Sequence, residues 1–212
     1  LTAILRNNSL VAARVPESAR VRKLDLSLNA LSDLSVGGTA SLTFLNASHN
    51  PLERIEIAEL PRLEYLDVAN ASGAGLAPWP VPRIPNSTRV VDVENSNALI
   101  NETTLKDASN VTVLLLEGAQ FKECSEAHGK GCWFDRCKAL QVLDLDNARD
   151  GANGSAFADM RLLTSSLMAL SMRNTSIAPV DFATELLRDV APAECEADDL
   201  HDDGREGVYA RG

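Results

Sequence analysis

Val21-Arg22-Lys23-Leu24-Asp25-Leu26-Ser27-Leu28-Asn29-Ala30-Leu31 decides the fold of this chain. Val21, Leu24, Leu26, Asn29 and Leu31 fill every fixed slot of the template L-x-x-L-x-L-x-x-N-x-L. Twenty-one residues later Leu42, Leu45, Ala47, Asn50 and Leu52 fill it again, and after 21 more come Leu63, Leu66 and Val68, with Ala71 in the asparagine slot. The opening residues Ala3, Leu5, Asn8 and Leu10 match at the same interval. Downstream the pattern persists through Val91/Val93/Ser96, Val111/Leu114/Leu116/Ala119, Leu140/Leu143/Leu145/Ala148 and Leu167/Leu170/Met172/Thr175. Measured on the asparagine slot the spacings are 21, 21, 21, 25, 23, 29 and 27, which makes eight repeats. In four later repeats an asparagine sits one residue early, at Asn70, Asn95, Asn147 and Asn174. A ladder of Asn side chains bonding neighbouring backbones is therefore expected over the first three repeats only.

No single repeat can bury its apolar L-x-L face alone, so the repeats must stack. Stacked strands build a parallel sheet along one wall, and the remainder of each repeat returns along the other. Pro78, Pro80, Pro82 and Pro85 within 72–90 cannot donate ladder hydrogen bonds and predict an extended return there.

The pattern resembles the leucine-rich repeat family, from about Ala3 to Leu187. The stretch Asn174-Thr175-Ser176-Ile177-Ala178-Pro179-Val180-Asp181-Phe182, followed by Leu186 and Leu187, looks like the extended extracellular type. The resemblance implies an α/β horseshoe solenoid, with a parallel concave sheet and a convex side mostly of loop, 3₁₀ turn and short helix. It assigns residues 1–190 to an array of about eight repeats and 191–212 to an acidic cap remnant or tail. Leu1 to Leu5 already stand in strand register, so the array is expected to be N-terminally incomplete. The Leu-x-Gly-x-Ile-Pro signature of plant repeats and paired-cysteine caps are not found.

The composition, 45% hydrophobic and 24% charged over 212 residues, is that of a globular chain rather than a disordered or collagenous one. No run of eighteen apolar residues predicts a membrane span. A formal charge of −10 argues against nucleic acid or an anionic membrane as partner. Chance would give about two Asn-x-Ser/Thr sequons in such a composition. There are eight, at Asn7, Asn46, Asn70, Asn86, Asn101, Asn110, Asn153 and Asn174, which points to an extracellular or cell-surface glycoprotein. In that setting Cys124, Cys132, Cys137 and Cys195 predict two disulfides with three connectivities open. Three of them share one enlarged return, which favours Cys124 with Cys132 and Cys137 with Cys195. A zinc site of Cys124, His128, Cys132 and Cys137 is the competing reading, but it lacks the paired Cys-x2-Cys knuckle.

No catalytic constellation is evident. Phosphate-cradling loops, Gly-x-Ser-x-Gly and His-Glu-x-x-His are missing, and His49, His128 and His201 are the only histidines. Asp144 and Asp146 read as a solvated strand face rather than an acid/base pair. The acids between Asp198 and Glu206 lack the ligand spacing of a calcium loop. No metal or cofactor is expected. The resemblance implies a non-catalytic binding surface, in a receptor ectodomain or secreted recognition module, for a protein or peptide. Alternatives are a structural segment of a surface, matrix or fibre glycoprotein, and a cytosolic scaffold. The outward strand slots predict one negative concave strip of Asp67, Asp92, Glu94, Glu117, Asp144 and Asp146, with Tyr65 on the same face, suited to a basic partner. A glycan on Asn46 would project from that wall.

Overall fold

The computed structural model describes residues 1–71, 77–101, 103–122, 134, 136–150 and 166–175. All of them lie in one compact unit, Leu1–Val180; a second unit, Asp181–Gly212, is outside the described residues. Eight short strands form one parallel sheet in chain order: β1 (Thr2–Ile4), β3 (Lys23–Asp25), β5 (Phe44–Asn46), β7 (Tyr65–Asp67), β9 (Val90–Asp92), β11 (Val113–Leu115), β13 (Val142–Asp144) and β15 (Ala169–Ser171). One such strand recurs in each of the eight sequence repeats.

Between these strands the chain returns through further strands. β2 (Ala12–Val15), β4 (Asp33–Val36) and β6 (Arg54–Ile57) make a three-stranded parallel sheet. β8 (Trp79–Pro80), β10 (Ala98–Ile100), β12 (Gln120–Phe121) and β14 (Arg149–Asp150) make a four-stranded one. The described part of the chain is thus an all-β parallel solenoid, which corrects the expected α/β class: no helix occurs among the described residues. The reason is span. A short coil leaves few residues to cross back, and a strand covers about 3.3 Å per residue where a helix covers about 1.5 Å. The period-two alternation of Asp33-Leu34-Ser35-Val36 and Arg54-Ile55-Glu56-Ile57 buries Leu34, Val36 and Ile55 and carried that signal. Pro80 sits on β8, at an edge of its sheet, where a missing N–H is tolerated.

The core lies between the two walls. Leu24, Leu45, Leu66, Val91, Leu114 and Leu143 face inward from the long sheet, and Leu34, Ile55, Trp79, Ile100 and Phe121 face them from the returns. At one edge the asparagine ladder forms as expected. Asn50, 2% exposed, accepts the N–H groups of Asn29 and Leu31 and donates to the carbonyls of Leu26, Ala47 and Ser48. Asn29 does the same one coil earlier for Asn8 and Leu10. Beyond the ladder the slot shrinks to buried Ala71, Ala119 and Ala148, which carry no side-chain polar atom. Ser96 instead donates to the Val93 carbonyl, and the Trp79 indole N–H donates to the Ser96 carbonyl at 2.8 Å. A buried polar group therefore stays satisfied by a different device.

Cys137 is buried. Cys124, Cys132 and Cys195, and with them His128, both expected disulfides and the zinc alternative, lie outside the described residues, as do His201, Asn153, Phe182 and the acidic segment 191–212.

Candidate functional site

In-register pairing stacks Ile4, Asp25, Asn46, Asp67, Asp92, Leu115, Asp144 and Ser171 as one row across the long sheet. With parallel strands about 4.8 Å apart, Asp67 and Asp92 stand on adjacent strands with no cation between them in the row. Two residues further along each strand come Arg6, Ser27, Ser48, Ala69, Glu94, Glu117, Asp146 and Arg173. Tyr65, one row earlier, donates its hydroxyl to Asp67 Oδ2 at 3.3 Å. All seven residues of the expected strip thus belong to the same wall.

The wall is more structured than a solvated face. Asp25 Oδ1 accepts the Ser27 N–H and hydroxyl, and Asn46 Oδ1 does so for Ser48. Asp67, Asp92 and Asp144 each accept the N–H two residues on. Each is an Asx turn, in which a short acceptor side chain closes the strand's end onto the following backbone. Asp or Asn recurs in this slot because the turn needs it. Leu115 breaks the series and leaves an apolar step between Asp92 and Asp144.

Charge crowding follows from the stacking. Partial burial, and after it the neighbouring Asp92, Asp144, Glu117 and Asp146 charges, push the Glu94 carboxyl up to about 7. Asp92 rises to about 6, again chiefly by burial, with Asp67 adding to the rise while the Glu94 N–H and the His49 charge oppose it. Burial also raises Asp144, against the hydrogen bond from the Asp146 N–H. Asp146 moves the other way: burial pushes it up, but hydrogen bonds from the Ser171 hydroxyl and from the Arg173 N–H and Nε, each at 2.6 Å, outweigh it. Burial and the adjacent Asp67 push the Tyr65 phenol up to about 12.

Sequence reasoning overlooked Phe44. Its ring stacks on Tyr65 with centroids 4.6 Å apart and planes 7° apart, one coil earlier on the same row. The 21-residue interval between positions 44 and 65 was the available clue. The wall thus offers a flat aromatic pair bordered by carboxylates, an arrangement that attracts cations both by charge and by the ring faces. The described residues hold no group of three or more His, Cys, Asp and Glu arranged for a metal ion. Five sequon asparagines, Asn7, Asn70, Asn86, Asn110 and Asn174, are exposed, while Asn46 and Asn101 are half-buried and bond the Ser or Thr two residues on. Comparison with protein families, with curated proteins and with solved structures finds no match for this chain.

Proposed function

We propose that this chain is a leucine-rich-repeat segment of an extracellular glycoprotein, non-catalytic, whose long sheet is a concave wall that binds a basic protein or peptide. The observation that carries this reading is the in-register row of Asp67, Asp92 and Asp144, flanked by Glu94, Glu117 and the Phe44–Tyr65 stack. An Arg side chain laid on the aromatic pair would bring its guanidinium to Asp67, and further cations would meet the acids of later coils. The eight sequons and the exposure of five of them support the extracellular setting.

The test is association of an arginine-rich peptide of about ten residues, followed by stopped flow at several salt concentrations. Replacing Asp92, Glu94 and Asp144 together by Asn, Gln and Asn should slow association about tenfold at low salt, because complementary charge steers encounter. An unchanged on-rate and salt dependence would remove the wall from the binding surface. The extracellular setting is checked separately by intact mass of native material before and after glycosidase. Fewer than three occupied sequons would count against it.

A further inference from the structure

The corners that lead into β7, β9, β11 and β13 enclose a cleft of about 680 Å³ on the solenoid's edge. Its chemistry is the reverse of the long sheet's. Among the described residues Arg83, Lys106, Arg136 and Lys138 line it against only Glu59 and Asp107, in a chain whose formal charge is −10. Asp107 already pairs with Arg83, which holds that guanidinium in place. Lys106 and Arg136 have no ion-pair partner among the described residues. Buried Leu60 with Pro61 and Pro85 supplies an apolar lining, and the Ser109 hydroxyl, donating to the Asn86 side-chain amide oxygen, adds polar groups.

The corners are held by backbone hydrogen bonds, Thr88 to Pro85, Ala108 to Leu105 and Cys137 to Phe134, and by the Ser87 and Thr88 hydroxyls donating to Leu63 in the preceding coil. The cations therefore project from a fixed frame. They come from three successive coils, about 4.8 Å apart, so they present several positive charges over roughly 10 Å. A single small anion would engage one or two of them. A ligand with several anionic groups on one ring would engage them all, with its ring against the prolines.

We propose that this cleft is a binding site for a small polyanion, carrying sulfate or phosphate groups on a ring of saccharide or inositol size. Lys106 and Arg136 provide the principal contacts, Arg83 a pre-oriented guanidinium and Lys138 a further charge. A cleft of this volume suits such a ligand. Because Asn86 is also a sequon asparagine, a glycan there would stand at the mouth of the site.

Titration calorimetry at about 50 mM salt, on the full chain made in a host that adds no N-glycans, tests the site with two probes: a heparin-type sulfated tetrasaccharide and inositol hexakisphosphate. At least one should bind, more weakly as salt rises, and which one binds tells a sulfated saccharide from a phosphorylated ring. K106Q/R136Q should lose about tenfold in affinity or more while its melting temperature stays unchanged, and K106R should keep binding. Binding by neither probe, or equal binding by K106Q/R136Q, would overturn the proposal.

Discussion

Leu28 and His49 hold φ at 56°, in the left-handed region, and so do the residues at the matching place in the other repeats: Asn7, Asn70, Asn95, Gly118, Asn147 and Asn174. Each directly precedes the asparagine slot. The asparagines that sit one residue early in the sequence therefore occupy a different position with a different task, since Asn tolerates this conformation better than other non-glycine residues do. Leu28 is the misfit, being 40% exposed and gaining little burial there. Leu28→Asn should stabilise the chain by about 0.5–1 kcal/mol, read from chemical denaturation. A loss of stability would mean that the Leu28 side chain contributes more packing than its exposure suggests.

At the scale of elements, the long sheet carries the largest carboxylate shifts among the described residues. Asp92 and Glu94 hold protons in the folded state up to about pH 6 and 7, against ordinary values of 3.8 and 4.5. Between those limits the folded chain binds more protons than the unfolded one, so stability falls as pH rises through that window. Asp146 contributes with the opposite sign: its depressed value protects the fold above the ordinary carboxylate range, and that contribution is lost on acidification below it. The melting temperature should accordingly drop between about pH 5 and pH 8, and Glu94→Gln should flatten the decline. A slope that Glu94→Gln leaves untouched would place its origin elsewhere. Association with a basic partner should run the other way and strengthen over the same interval as the row gains charge.

The row itself was legible in the sequence, because period-two alternation and a 21-residue repeat together assign each outward side chain to a face. Its cause was not: the side-chain bonds that close each Asx turn have no periodic signature beyond the Asp itself. The return wall was misread for a related reason. Its alternating stretches are only four residues long, short enough for the family resemblance to outweigh them. The edge cleft was hidden more thoroughly, since Arg83, Lys106 and Arg136 are spaced by coil lengths that differ from one another, and only stacking brings them together.

Along the described coils, stability is distributed in one dimension, each inner coil resting on its two neighbours. The first coil has only one described neighbour and leaves Leu1, Ile4, Leu5 and Val11 exposed. Register is handed from coil to coil by backbone pairing, and over the first four coils every interval is 21 residues. The coil is therefore the unit in which the gene could lengthen or shorten without scrambling the protein. Removing residues 30–50 joins Asn29 to Pro51 at equivalent places in the repeat, and should yield a cooperatively folding chain with a normal β-type circular dichroism spectrum. Removing 31–50, one residue fewer, leaves a coil one residue longer than its neighbours; because later coils of 23 to 29 residues keep strand register, the extra residue should be absorbed in the return, lowering the melting temperature without abolishing the folding transition. Unequal recombination between such equal coils would change the length of the charged wall by whole steps, so that related chains could differ in the number of cations they grasp while keeping the same chemistry at each step.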